Sequence, residues 1–378
     1  MPEGIRCQQQ PGRYTFIFYG GIMKRMKKTA AFLITVLLIA GCSNSASGSQ
    51  GSGSPEPEEP GTRIFVDSAG REVEVPAEIN SIIPSGDMAQ MFIWPLAADK
   101  LATVSRTLTE EQKYYLGTST EGLSETGNLY KTGSQLNIEE VAAVSPDIII
   151  DFGEPKDTIV EDLDNLQELL GIPCVFIEGN LHDTVTSYRM LGDLLNEPEK
   201  AEELALFVED IVGTTEEVLA DTEKKTVVVL NGTDGLGCIA KGTYFDEIWS
   251  LMMDNVAVVD ESQMYAATGI DIEQLANWDP EYIFFYNSAD PETIVDAAAW
   301  SELSAVKEGK YYGIPAGPYS FVSPPSINRY LGMIYIAKTV YPDAFAWDMK
   351  DKITEFYRLF YHYDLSDEEY ENLLHTLS

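Results

Sequence analysis

The tightest constraint on this chain is an internal repeat. Asn137-Ile-Glu-Glu-Val-Ala-Ala-Val-Ser-Pro-Asp-Ile-Ile-Ile150 lines up without a gap, 134 residues on, with Asp271-Ile-Glu-Gln-Leu-Ala-Asn-Trp-Asp-Pro-Glu-Tyr-Ile-Phe284. Each copy opens on a residue type that caps helix N-termini and places an acid in the first turn, where the helix dipole favours it. Each then meets a proline, Pro146 or Pro280, which closes the helix and sends the chain into an apolar strand. A chain that repeats this unit at such a distance folds into two homologous α/β lobes.

The remaining pattern extends each copy into a lobe. Arg63 to Val75 alternates as a hairpin turning at Asp67 to Gly70. Short apolar runs at Ser81–Ile83, Leu101–Val104, Asp147–Ile150 and Val175–Ile177 alternate with helical patterns. A second series follows at Thr226–Leu230, Val256–Val259, Tyr282–Tyr286 and Lys310–Ile314. Brief strands alternating with helices predict parallel sheets. Between the series, apolar residues from Ala201 to Leu219 keep helical spacing, and some 25 residues of helix would reach roughly 38 Å, enough to join the lobes. The expected fold is α/β: two similar Rossmann-like lobes with central parallel sheets, one long connecting α-helix, and a ligand cleft between the lobes. The boundaries read as an N-terminal lobe at 63–195, a connecting helix at 196–225, and a C-terminal lobe at 226–378 with a helical tail. That tail, Lys350 to Tyr361, carries an aromatic stripe expected to pack on the second lobe.

Ahead of the lobes the sequence reads as an address. Met23 to Lys28 is positively charged, and Thr29 to Ala40 is an apolar run too short to span a ~30 Å hydrocarbon core. The run ends in Leu38-Ile39-Ala40-Gly41-Cys42, similar to a bacterial lipoprotein processing site. Residues 23–41 are thus expected to be a signal peptide, and Cys42 the lipidated N-terminus. At about 0.8 kcal/mol per buried lipid methylene, two or three chains anchor a protein stably. Residues 1–22 fit no targeting pattern, so translation is expected to start at Met23. The Ser/Gly- and Pro/Glu-rich residues 42–62 read as a flexible tether.

Charge excludes one class of partner. Of 25 Lys and Arg against 61 Asp and Glu, residues 1–41 hold six bases and one acid, so the remainder sets 19 against 60. A domain this acidic repels phosphate backbones, and no nucleic acid is expected. Cys174 and Cys238, the two cysteines within the lobes, read as buried free thiols. His182, His362 and His375 are the chain's three histidines; with no metal-ligand spacing among them, neither a metal site nor a cofactor is expected. The sequence also lacks a Gly-x-Ser-x-Gly elbow and a His-Glu-x-x-His motif, so a lipid-anchored enzyme stands second to a binding protein.

Several segments together resemble the periplasmic-binding protein family that serves ABC importers of iron-siderophores, cobalamin and haem. They are Ile64 to Pro76, Asn137 to Asp147, Leu170 to Ile177, Gly242-Thr-Tyr-Phe-Asp-Glu-Ile248, Ala305 to Tyr312, and Leu331-Gly to Tyr341-Pro, covering about residues 63–345. The resemblance implies two lobes bridged by one helix, little hinge motion, a monomer, and delivery of ligand to a permease dimer with its ATPase. It also places permease-docking acids at Glu139 and Glu273, equivalent positions of the repeat. Where family members carry a Glu soon after the first strand's Pro-Ser, this chain has Pro84-Ser-Gly-Asp-Met88.

Ligands of α/β sheets bind beyond the carboxyl ends of the strands. Applied here, that rule selects Met88, Arg106 and Asn180 in the first lobe, and Tyr265, Tyr286, Tyr319 and Phe321 in the second. Tyr244, in the family-like segment Lys241-Gly-Thr-Tyr244, belongs near the rim by that resemblance, and Arg106 and Arg329 are the expected cationic contacts because arginines are few in so acidic a chain. Aromatic faces with scattered polar tips suit a bulky chelate. The expected ligand is a ferric siderophore or related iron chelate, with haem (through a tyrosinate at Tyr244, Tyr265 or Tyr319), cobalamin or a molybdate-type oxyanion as alternatives.

Overall fold

The two copies of the repeat have the same structure. In the computed structural model the first forms a helix Ile138–Val144 and a strand beginning at Ile148. The second forms a helix Ile272–Trp278 and a strand beginning at Tyr282, each bound displaced by the same 134 residues. The residue that breaks each helix, Ser145 or Asp279, has a positive φ, 50° and 38° respectively. The structure describes residues 61–128, 138–260, 268–288, 290–322 and 327–375; the side chains of residues 138, 139, 142, 287, 288 and 375 fall outside the description.

Eleven strands are described. β1 (Thr62–Val66) and β2 (Glu72–Pro76) make the expected antiparallel hairpin. β3 (Ile82–Pro84), β4 (Ile148–Gly153) and β5 (Cys174–Glu178) form a parallel sheet with β4 in the centre. The second sheet holds β6 (Thr226–Gly232), β7 (Gly237–Cys238), β8 (Asp254–Asn255), β9 (Thr268–Gly269), β10 (Tyr282–Ser288) and β11 (Tyr311–Gly313), in the order β11-β10-β6-β7-β9 with β8 also beside β6. Its strands β8, β6, β10 and β11 pair in parallel, while β7 and β9 turn back antiparallel. β4 and β10, the strands of the repeat, are thus each flanked by parallel neighbours.

The central strands of both sheets, β4, β6 and β10, are buried on two faces, which is why they read as nearly unbroken apolar runs. Ile148, Ile150 and Phe152 point to a central core, whereas Ile149 points to an outer cluster with Val141, Ile159 and Leu163. In the second sheet Val227, Val229 and Phe284 join the same central core, and Val228, Leu230, Ile283 and Phe285 face an outer one. The connecting helix runs from Pro198 to Leu219, 22 residues or about 33 Å, shorter than expected because the chain leaves the helix after Ala220. It packs on the helix Thr184–Leu195 on one side and the helix Arg329–Val340 on the other.

Three expectations change. Val256–Val259 is not a strand: β8 is confined to Asp254–Asn255, and the chain leaves the ladder after the Val256 N–H donates to the Val227 carbonyl. Leu101–Val104 is not a strand: Ala102 donates to Ile82 and Val104 to Ser124, so the segment divides between two partners and builds a ladder with neither. The aromatic tail is not confined to the second lobe. Phe360 meets Phe207 of the connecting helix and Tyr188 of the first lobe at ring separations of 5.5 and 6.0 Å, and Tyr357 meets Tyr115 at 5.7 Å. The tail welds the lobes and their connector into one continuous core. Among the described residues no helix is long and apolar enough to cross a membrane.

Candidate functional site

Because β3, β4 and β5 are parallel, their carboxyl ends open on one edge, and the residues just beyond them build one wall of a cleft. After β3 the chain passes through Ser85 and Gly86 into the helix Asp87–Ala97. Gly86 has no room for a side chain: a Cβ there would sit 2.2 Å from Asn128 Oδ1, which accepts a hydrogen bond from the Asp87 N–H. Ser85 donates to Asp151 from β4. After β5, Gly179 lies so close to the Phe152 ring that a Cβ would approach two ring carbons to 2.7 Å.

The opposite wall comes from the turn Gly242 to Ser250. Asp246 organises it, accepting from Gly242 N, Ser250 Oγ and Asn255 Nδ2 at 2.8, 2.5 and 2.6 Å. Burial pushes its carboxyl above the ordinary range despite those bonds. The turn projects Tyr244 and Phe245 towards the first lobe. They close a cavity of about 540 Å³ whose other lining includes Asp87, Met88, Asp151, Phe152, Glu154, Lys156 and Phe176. A second chamber of about 500 Å³ shares Glu154 and Tyr244 and adds Glu178, Asn180, Asp246 and Glu247. A third, of about 390 Å³, shares Asp87 and adds Ser105, Arg106, Glu111 and Tyr319.

The walls are tied together behind the first chamber. Arg329, 2 % exposed, donates from Nη1 to Glu247 Oε2 at 2.5 Å, and from Nη2 to the Gly179 carbonyl at 2.8 Å and the Tyr244 hydroxyl at 2.7 Å. Tyr244 in turn donates to the Gly179 carbonyl at 2.8 Å, and the Leu181 N–H reaches Glu247 Oε1 at 2.7 Å. Gly179 and Leu181 belong to the first lobe, whereas Tyr244, Glu247 and Arg329 belong to the second.

The sequence-derived residues divide accordingly. Met88, Asn180 and Tyr244 line the first two chambers, and Arg106 and Tyr319 line the third. Arg106 is paired with Asp87, whose carboxylate also accepts from Ser105 Oγ at 2.6 Å. Arg329 was expected as a cleft cation and is instead the buried tie just described, its guanidinium spent on the protein's own carboxylate and carbonyl. Phe321 was expected on the cleft wall and has no exposed surface, because its ring packs into the central core. Tyr286, half-buried at the end of β10, packs against that core and lines none of the three chambers. Tyr265 and Cys42 lie outside the described residues. Glu273 is exposed in the first turn of its helix, behind the Asp271 cap that accepts from Gln274 N at 2.7 Å; Glu139 stands at the matching helix position, its side chain outside the description. Cys174 and Cys238 are buried free thiols pushed up to about 12 and about 11 by desolvation. Sequence reasoning drew only Tyr244 from the Gly242 to Ile248 segment and missed Phe245 and Glu247 beside it. The first nine residues of the helix Arg329–Val340 are almost wholly apolar after Arg329, and such a run is itself a sign that the arginine opening it is buried.

Two similar sheets facing each other across a chambered cleft, joined by one helix and a shared core, define a bilobal solute-binding protein. Residues 95–318, more than half the chain, match the periplasmic binding protein family, and the chain belongs to that family. Curated relatives include the Fe(3+)-citrate-binding protein YfmC of Bacillus subtilis, 24% identical over 292 residues (75% of this chain, 87% of the relative). The molybdate-binding protein MolA of Haemophilus influenzae is 22% identical over 334 residues, 79% of this chain and 91% of MolA. Among solved structures, an ABC transporter solute binding protein from Sulfurospirillum deleyianum shares the fold at a TM-score of 0.74 and 23% identity, covering 82% of this chain and 98% of the other.

Proposed function

We propose that this protein is the solute receptor of an ABC importer, anchored outside the cell membrane by lipid on Cys42. It captures a ferric siderophore or related iron chelate and hands it to a permease dimer coupled to an ATPase. The observation that carries this reading is the cleft: a chamber of about 540 Å³ built by strand-end residues of one lobe and closed by Tyr244 and Phe245 of the other. Chambers of that size, walled by aromatic rings and a few polar groups, suit a drug-sized chelate. The protein acts as a monomer and as a carrier, not a catalyst. Tyr244 and Tyr319 do not suit a tyrosinate that would hold haem. Burial raises the Tyr244 and Tyr319 hydroxyls above their ordinary pKa, the opposite of what a tyrosinate ligand needs, and Tyr244 is already engaged by Arg329 and Gly179.

Glu139 and Glu273 meet the permease. Their matched places in the repeat suit them to matched sites on two permease subunits, where two charge pairs would fix orientation. The double substitution Glu139→Arg/Glu273→Arg turns attraction into repulsion while leaving the cleft untouched. Uptake of a ferric chelate by cells should collapse, with affinity in a tryptophan-fluorescence titration within about threefold of the parent (under ~0.7 kcal/mol). Normal uptake by the double variant, or loss of ligand binding, refutes the docking assignment.

A further inference from the structure

The charge of the cleft identifies the class of ligand more narrowly. We infer that the cleft takes a metal complex of zero or positive net charge and discriminates against polyanionic chelates and oxyanions. This rests on the receptor reading above and goes beyond it, because the ligands named for the relatives YfmC and MolA, ferric citrate and molybdate, are a carboxylate chelate and an oxyanion.

Among the described residues, the walls of the three chambers carry seven carboxylates and two bases, and one of the seven, Glu247, is neutralised by Arg329 behind the wall, so carboxylates still outnumber cations by six to two. Neither arginine expected to receive an anion is disposed to do so. Arg329 is buried against Glu247, and the charge of Arg106 is offset by Asp87 paired beside it, so neither presents an uncompensated cation to an incoming anion. The N-terminus of the helix Asp87–Ala97 opens on the first chamber, where its dipole would favour an anion, but Asp87 itself stands at its first position. Glu154 faces two of the chambers at once. A low-dielectric cleft in which one sign of charge predominates concentrates the opposite sign. With Met88, Phe152, Phe176, Tyr244 and Phe245 supplying the apolar surface, the site suits a bulky complex whose periphery presents ammonium or N–H donors.

The test uses one iron core with three charges. A linear trihydroxamate ferric complex carries +1 with a free terminal ammonium, zero when that amine is acetylated, and −1 when it is succinylated. Tryptophan-fluorescence titration at low salt should rank the three complexes in that order, with about a tenfold or larger span that shrinks as salt is added. Ferric citrate and molybdate should bind more weakly than the cation. Asp87→Asn/Glu154→Gln should narrow the span. Tighter binding of the succinylated complex, ferric citrate or molybdate than of the cation overturns the inference. Cleft charge is read independently from Met88→Cys, since Cys174 and Cys238 are buried. This thiol should react about tenfold faster with a cationic than with an anionic thiosulfonate reagent, normalised to a free thiol. Equal rates, or a faster anion, overturn the inference even if no hydroxamate binds; failure of every iron complex with a cation-selective thiol would instead refute the iron-chelate reading alone.

Discussion

Replacing Arg329 with Met should cost the fold about 3 kcal/mol. The substitution keeps much of the side-chain length, so little packing is lost, and the cost arises from the tie between the lobes. Two hydrogen bonds to neutral acceptors disappear, those to the Gly179 carbonyl and the Tyr244 hydroxyl, each worth about 1 kcal/mol net. Glu247 also loses its cation. A fully buried pair broken on one side costs about 3–5 kcal/mol, but the Glu247 side chain is 25% exposed and keeps the Leu181 N–H, which brings that contribution to about 1 kcal/mol. Roughly 300 folded residues unfold with an entropy near 0.6 kcal/mol/K, so the melting temperature should fall by about 5 °C. Glu247→Gln/Arg329→Met should recover about 1 kcal/mol of the loss, because no uncompensated carboxylate remains. The assay is calorimetric or urea unfolding of the three proteins. A single variant within 1 °C of the parent, or a double variant no more stable than the single, would refute the assignment of Arg329 as the tie across the cleft.

Three further outcomes are expected. The Glu369 carboxyl is held at about 2 by hydrogen bonds from Ser366, Tyr114 and Tyr363; a carboxyl depressed on folding stabilises above its unfolded pKa of about 4.3 and loses that contribution as pH falls towards 2. Tyr114→Phe should therefore make the loss of stability between pH 5 and 3 shallower, as read from urea midpoints, and unchanged slopes would count against it. Gly179→Ala should destabilise by about 1–3 kcal/mol, because its methyl group meets the Phe152 ring and shifts the carbonyl that both lobes share; a melt identical to the parent's would contradict this. Cys42→Ala should release the protein from membranes, and association persisting in the lipid-extracted fraction would remove the lipid-anchor reading.

The fold was legible wherever the sequence carried a local, repeated signal. The helix-proline-strand unit at residues 137–150 and 271–284 predicted two lobes, and both helices and strands begin at matching positions. Two-residue strands such as β7 and β9 were not legible, since two residues carry no periodicity. The stripe of Phe356, Tyr357 and Phe360 announced burial but not its partner. Helical spacing says that a face is covered, and only the tertiary arrangement says that Phe207 and Tyr188 cover it. The site divides in the same way. Strand ends located Met88 and Asn180, because parallel topology fixes that edge, and the family-like segment located Tyr244, whereas Arg329 and Phe321 went inward because the helix and turn bearing them pack against the core.

The central claim is that the chambered cleft closed by Tyr244 and Phe245 carries a ligand without transforming it. Native mass spectrometry of the protein purified from its own host tests this directly, alongside Met88→Trp, which sets an indole into the first chamber against the space a bulky chelate needs. The parent should carry one non-covalent adduct containing a metal ion, released chemically unchanged, and the Met88→Trp protein should emerge without it. An adduct of equal occupancy in both proteins, no adduct in either, or a released compound chemically altered during incubation with the purified protein would contradict the account.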